Sequence, residues 1–422
     1  MSAPQNPDVI VIGAGVAGLA AAKSLKAAGL EVTVLEAAAH SGGRCVTDHA
    51  TFSQPFDRGG SWLHSATINP LARIAEDEGF VLHKKDWIPT HVHVQGHDLS
   101  RNDVAEYASY IERMWPEINV RGASNLDATI LDCASPSPWR DTALHHISQH
   151  LGGDGDVTSA RDSYNYDDAE GDWLVGGGFG ALIQSVHGDV RVQHNCRVQK
   201  IDHSGHGVTV SSTVGTLQAR HVIVTVSTGV LASEAIEFNP ALAAAKRDAI
   251  DQLPNGLLNK IGIEFHPSWH GATEGEMVEH QSGDDGYCSI LFGFCGSNLA
   301  VGFVAGRFAD ALERDGQGAA TEYCMQALRA TFGNDITRQI KTTDETAWRA
   351  NANTLGSYSY AKPGCAGARP ILAEPVADKL FFAGEATMPH TYSTVHGAYL
   401  SGQRAAAKVI AQVAAPPLYS TA

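Results

Sequence analysis

Asp8-Val-Ile-Val-Ile-Gly13-Ala-Gly15-Val-Ala-Gly18 is the stretch whose reading decides the fold. A short apolar run ends at Ile12, three glycines follow, and the small residues from Leu19 to Ala28 predict a helix that Gly29 closes. Leu30 to Leu35 predicts a second strand, with Glu36 at its end. A strand, a glycine loop, a helix and an acid-tipped strand in that order hold a dinucleotide. Gly13 permits the tight turn, Gly15 lets the backbone approach a pyrophosphate, and Gly18 lets the helix pack closely on the strand. The helix N-terminus offers free N–H groups and partial positive charge to phosphate. Glu36 lies 18 residues past Gly18, where a carboxylate can accept both ribose hydroxyls. No arginine follows it directly, so a 2′-phosphate would be poorly received.

Working outward, the 422 residues exceed what one small core needs, and two domains are expected. No charge-free apolar run reaches the roughly 18 residues of a membrane helix, and the N-terminus lacks the basic-then-apolar order of a signal peptide. The seven cysteines are odd in number and form no CxxC pair and no Cys/His metal spacing. That pattern predicts free thiols in a reducing cytoplasm and no metal site. A formal charge of −16 disfavours nucleic acid and membrane surfaces and is compatible with a cationic substrate. Only the first seven residues and the Ala-Pro-Pro tail near Pro416 read as disordered. Among the twenty histidines, His145 and His146 lie in a polar helical stretch and are expected at the surface.

Ser41-Gly42-Gly43-Arg44 follows Glu36, and Phe56-Asp-Arg-Gly-Gly60-Ser61-Trp62-Leu-His64 follows that. Here the sequence resembles the flavin amine oxidase family, in its polyamine oxidase and lysine demethylase branch. The resemblance continues through Val175-Gly-Gly-Gly, Asn259-Lys260-Ile, Trp348, Gly356-Ser357-Tyr358, Ala383-Gly384-Glu385-Ala-Thr and Thr391-Tyr-Ser-Thr394-Val395-His-Gly-Ala. It implies an α/β architecture: a doubly wound, Rossmann-like FAD-binding domain built from three segments, with an interleaved α+β substrate domain. We assign residues 1–79, 174–254 and 346–422 to the first, and 80–173 and 255–345 to the second.

Site roles follow from the same resemblance. Gly43 and Arg44 would wrap the diphosphate and flavin. Gly60, Ser61 and Trp62 would run along the flavin, and His64 would enter the substrate cavity, where a neutral imidazole can take a hydrogen bond from an amine. The alternative for His64 is to cap the following helix, Asn69 to Gly79. Val198 would bracket the adenine, and Glu385 the ribityl and phosphate region. Ser393 or Thr394 can cap a long helix, leaving N–H groups near Val395 for the flavin pyrimidine edge. Trp348 would lie beside the isoalloxazine, with Tyr358 as one wall of an aromatic cage. Thr394 stands where monoamine oxidases place a second tyrosine. Ser357 stands where they carry a cysteine, so FAD is expected to be non-covalent.

Lys260 has a physical case of its own. A lysine inside an apolar strand costs several kcal/mol if buried without a partner, so it either reaches solvent from a strand edge or serves a purpose. The resemblance implies a lysine that holds a water at flavin N5, favouring electron transfer to O2. The acids Asp162, Asp167, Asp168, Glu170 and Asp172 form a loop that is either solvated or placed to attract a second ammonium. The implied activity is oxidation of a small amine by hydride transfer to flavin N5, with imine hydrolysis and reoxidation by O2 to give H2O2. Two alternatives stay open at this point: an L-amino-acid oxidase, which needs an arginine such as Arg307 or Arg314 to clamp a carboxylate, and an oxidase or dehydrogenase of cyclic, nicotine-like amines. A silent FAD-binding scaffold is disfavoured by the retention of Lys260 and Tyr358. Substrate identity and oligomeric state are not readable from the sequence.

Overall fold

The computed structural model describes residues 7–124 and 126–414, so the tail near Pro416 and all but one of the seven N-terminal residues expected to be disordered lie outside it. The chain forms two compact units. Among the described residues, one comprises 7–43, 183–251 and 368–414; the other comprises 44–124, 126–182 and 252–367. Each interrupts the other in sequence. The segments 44–79, 174–182, 252–254 and 346–367, assigned from sequence to the nucleotide-binding domain, pack with the second unit.

The first unit is α/β. Its central sheet is parallel, in the spatial order Val192–Gln193, Val32–Leu35, Val9–Ile12, His221–Val224 and Leu380–Phe382. Val9, Ile10, Val11 and Ile12 are all buried, which is why this strand reads as a continuous apolar run. The helices Val16–Ala27 and Val395–Ala414 pack against each other closely. A Cβ on Gly402 would sit 2.1 Å from the Ala17 carbonyl oxygen, so only glycine allows that approach. A second sheet pairs Gly215–Ala219, Val208–Ser212 and Val198–Asp202 antiparallel, with Glu237–Asn239 parallel to the last.

The second unit is built on a seven-stranded sheet in the order Ile340–Glu345, Leu258–Phe265, Leu299–Ala305, Gly286–Leu291, Glu276–Ser282, Ile88–Val94 and His97–Asp98. The strand carrying Lys260 is therefore interior, between two neighbours. Ile88–Val94 is not legible as a strand in the sequence, because Pro89 removes a ladder donor and argues against one. The register shifts just after Pro89, and the strand closes on Glu276–Ser282 in parallel. Helix Ala319–Phe332 covers the sheet through Cys324, Ala327 and Leu328, as packing rather than chemistry. Helix Arg101–Ala123 runs straight through Pro116. It starts at a reciprocal cap between Ser100 and Asp103. Helix Arg140–Leu151 packs against the sheet strands Gly286–Leu291 and Leu299–Ala305. No described helix is long and apolar enough to cross a membrane. All seven cysteines are free, five of them buried.

Candidate functional site

In the first unit the glycine loop has the expected shape. Gly13 adopts φ +101°, and its N–H donates to the Leu35 carbonyl at 2.8 Å. A Cβ on Gly18 would fall 1.9 Å from the Gly13 carbonyl oxygen. Gly15 stands at the helix N-cap, and no side chain caps that end. Nothing in the protein lies within 4 Å of where its Cβ would be. An uncapped helix N-terminus beside a cradle that a Cβ would fill suits a diphosphate. Gly42 bridges to Gly15, and a Cβ on Gly43 would come within 3.2 Å of the Gly15 Cα. Glu36 is buried; its carboxylate accepts the Ala14 N–H and the Ala38 N–H, each at 2.7 Å. A carboxylate has about four acceptor positions, so capacity remains for hydroxyls. The Glu36 carbonyl accepts the Cys196 N–H at 2.8 Å, which brings up the segment leading into Val198.

The other end of this unit is equally tied. Gly384 donates to Ser401 Oγ at 2.8 Å. Buried Glu385 accepts the Ser393 N–H at 2.9 Å, and Ser393 has φ +61°. Thr394 caps the helix that begins at Val395: its hydroxyl accepts the Gly397 N–H at 2.9 Å and donates to the Thr391 carbonyl at 2.7 Å. Its role in the structure is thus to shape the helix N-terminus.

In the second unit Lys260 is 4% exposed. Its ammonium donates to the carbonyls of Asp57, at 3.0 Å, and Gly59, and to the hydroxyl of buried Ser61. Three donors meet three acceptors, so what reaches beyond this cluster is charge rather than a spare N–H. The strand-edge alternative is excluded by burial. Desolvation pushes its pKa down to about 8, against the opposing pull of Asp57. Burial likewise raises the Asp57 carboxyl, although Lys260 and the N–H groups of Phe179 and Gly180 favour its charge. The rings of Trp62 and Phe303 lie 5.4 and 5.9 Å from the ammonium. Gly60 donates to the Arg44 carbonyl, and Arg44 Nη1 donates to the Ser357 carbonyl at 2.7 Å.

Trp348 is buried, with its Nε1 donating to the Arg58 carbonyl at 3.3 Å and its backbone N–H to Asn259 Oδ1 at 3.1 Å. Ser357 accepts the Leu258 N–H at 2.8 Å. The Tyr358 hydroxyl donates to the Gln149 carbonyl at 2.6 Å, and its ring packs over Gly152. Burial pushes the phenol pKa well above its ordinary value. Thus Lys260, Ser61, Trp62, Trp348 and Tyr358 all belong to this unit.

His64 pairs through Nδ1 with Asp172 Oδ1 at 3.0 Å. It does not cap helix Pro70–Asp77; Asn69 does, accepting the Leu71 N–H. Burial raises the Asp172 carboxyl, but the His64 hydrogen bond and charge outweigh it and hold the carboxyl below its ordinary range. The rest of the acidic loop divides. Asp162 is buried and accepts the Ala361 N–H, while Asp167, Asp168 and Glu170 are exposed. Burial and the Asp172 charge raise Asp168.

The expectation for His145 and His146 is corrected. His145 bonds the Asp284 carbonyl and stacks on Tyr287, and His146 lies 3.2 Å from fully buried Glu279. Their helix lies against the sheet, which leaves both rings half-buried rather than fully exposed. The sequence signal available was the spacing of His146 and His150, one helical turn apart. Arg307 is committed to Asp156 at 2.8 Å, and Arg314 to the Asp310 carbonyl.

The model of the family described as flavin containing amine oxidoreductase matches residues 16–125 and 117–410. The chain is 33% identical to polyamine oxidase 4 of Oryza sativa subsp. japonica, over 95% of its own length and 88% of that protein. It is 29% identical to lysine-specific histone demethylase 1 homolog 1 of the same plant, over 96% of its own length but about half (52%) of that protein. Among solved structures, cyclohexylamine oxidase from Brevibacterium oxydans IH-35A has a TM-score of 0.80 at 24% identity, covering 97% of this chain and 100% of that one. A putrescine oxidase variant reaches 0.78 at 21% identity, covering 96% and 99%. At those identities the likeness is one of fold.

Proposed function

This chain belongs to the flavin-containing amine oxidoreductase family and is a flavin-dependent amine oxidoreductase, and from that premise we propose that it binds FAD non-covalently and oxidises aliphatic di- or polyamines. In the first unit Gly13, Gly15, Gly18 and Gly43 would receive the diphosphate, Glu36 the ribose, Val198 the adenine, and Glu385 with the Val395 helix N-terminus the remainder. In the second, Arg44, Gly60, Ser61, Trp62 and Trp348 are the candidates. Ser357, whose hydroxyl is held by the Leu258 N–H, offers no thiol for a covalent link.

A bound FAD supplies two-electron oxidation of a carbon bearing an amine, the imine being hydrolysed by water and the electrons passing to dioxygen as H2O2. The protein's own part is positioning and charge. Lys260 is a fixed cation, which favours the build-up of negative charge on an electron acceptor. Tyr358 presents a ring pinned by its hydroxyl and uncharged at neutral pH, a surface suited to orienting an amine. Thr394 shapes a helix terminus whose N–H groups favour negative charge.

The observation that carries the substrate class is the solvent-open His64–Asp172 pair, whose carboxylate is held ionised and can accept from an ammonium. The polyamine oxidase relative supports the same class. An amino-acid substrate is disfavoured, because Arg307 and Arg314 are already engaged. The test is anaerobic bleaching of the flavin's visible band by a panel of amines. Fast bleaching by spermine, spermidine or putrescine is expected. Bleaching only by L-amino acids or by cyclic amines such as nicotine would overturn the substrate class.

A further inference from the structure

Asn259 and Lys260 are neighbours in the interior strand Leu258–Phe265, so their side chains leave it on opposite faces. Lys260 reaches the loop of Asp57, Gly59 and Ser61. Asn259, 1% exposed, meets the helix Gly306–Asp315, where its Nδ2 donates to Glu313 Oε1 at 2.6 Å. Its Oδ1 accepts the Trp348 N–H and the Thr346 hydroxyl, each at 3.1 Å. These partners fix the amide in one orientation. A flipped Asn259 would set its NH2 against a backbone N–H and its oxygen against a carboxylate.

Glu313 serves the same stretch directly. Its Oε1 also accepts the Arg349 N–H at 3.1 Å, and its Oε2 accepts the Ala350 N–H at 2.9 Å. The backbone N–H groups of Trp348, Arg349 and Ala350 therefore all end on Asn259 or Glu313. These three residues belong to no strand or helix that would order them, so two side chains do what a ladder does elsewhere. Asp310, on the same helix, accepts Arg349 Nε at 3.0 Å. The Thr346 hydroxyl that donates to Asn259 accepts the Lys260 N–H at 2.9 Å.

The indole so presented rests on the loop that holds the buried cation. Its Nε1 donates to the Arg58 carbonyl, and a Cβ on Gly59 would come within 3.2 Å of the Trp348 ring. The Gly59 carbonyl accepts from the Lys260 ammonium. One strand thus fixes both parts, the loop through Lys260 and the tryptophan through Asn259.

We propose that Asn259 and Glu313 are positioning residues for Trp348, fixing the backbone that presents its indole to a bound flavin. This rests on the reading of Trp348 as a flavin-binding residue and adds to it two residues that act through the tryptophan.

The experiment reads the emission of the bound flavin in the holoenzyme, at matched flavin content, because an indole beside an isoalloxazine quenches it by electron transfer. Trp348→Phe is expected to brighten the flavin. Asn259→Asp keeps an acceptor for the Trp348 N–H but sets a second carboxylate against Glu313, and is expected to brighten it too. Glu313→Gln alone is expected to brighten it less, since its amide oxygen still accepts. The double variant Asn259→Asp/Glu313→Gln exchanges donor for acceptor across the pair, and its emission is expected to return towards wild type. A pair that only stabilised the fold would lower the melting temperature and leave the emission of the folded holoenzyme unchanged. Brightening in Trp348→Phe with wild-type emission in both Asn259→Asp and Glu313→Gln overturns the proposal alone. A double variant no closer to wild type than Asn259→Asp does the same. Unchanged emission in Trp348→Phe overturns the reading of Trp348 beside the flavin, and the proposal with it. If Asn259→Asp fails to fold, Glu313→Gln and the double variant decide.

Discussion

Replacing Lys260 with methionine removes a charge that the structure holds at 4% exposure between two carbonyls and a hydroxyl. The ordinary lysine pKa of 10.5 falls to about 8 in the folded protein, mainly through desolvation. Below pH 8 both folded and unfolded chains carry the proton, and the whole cost of burying it is present. Between about 8 and 10.5 the unfolded chain binds the proton more tightly, so folding stability rises with pH through that window. The gap of about 2.5 pH units, at about 1.4 kcal/mol each, amounts to roughly 3 kcal/mol. About 2 kcal/mol of it should be regained by pH 9.5. The Lys260→Met variant lacks this gain, while every other titrating group is common to both proteins. Thermal unfolding of the two holoenzymes across pH 7.5 to 9.5 reads the difference directly. The melting temperature of wild type minus that of Lys260→Met is expected to rise by about 2 °C over that range. A difference that stays flat with pH would refute the buried, charged lysine from which the functional argument proceeds.

Anaerobic and oxygen-jump kinetics on Lys260→Met are expected to show reoxidation by O2 slowed far more than flavin reduction; equal slowing of both half-reactions counts against a charge acting on the oxidative step. Gly15→Ala meets nothing within 4 Å, so it should fold with normal circular dichroism and purify with less flavin. Gly18→Ala puts its Cβ 1.9 Å from the Gly13 carbonyl oxygen and should lose soluble protein as well; similar behaviour of the two variants would contradict this division. Tyr358→Phe loses the bond to the Gln149 carbonyl, worth about 1 kcal/mol, but keeps the ring. Flavin reduction should slow by less than about tenfold with an unchanged pH profile over pH 6 to 9, since the phenol does not ionise there; a shifted profile would show that it does.

What the sequence by itself determined is local in character. The loop from Gly13 to Gly18 and the acid at Glu36 depend on neighbouring residues and on one strand–helix–strand unit, so spacing alone identifies them. The cap at Thr394 and the start of the following helix are legible for the same reason. Lys260 was legible as an anomaly, a cation inside an apolar run, but its acceptors were not. Asp57, Gly59 and Ser61 lie about 200 residues away, and no periodicity encodes which loop will close on which strand. Pro89 concealed a strand that only its pairing with Glu276–Ser282 stabilises. His146 shows the limit most plainly. A polar helix looks solvated until the sheet it lies against places buried Glu279 within 3.2 Å of the imidazole. Whether a charged side chain is a surface residue or an interior partner is decided by what the fold brings opposite to it, because desolvation and Coulomb attraction depend on three-dimensional neighbours rather than on chain order.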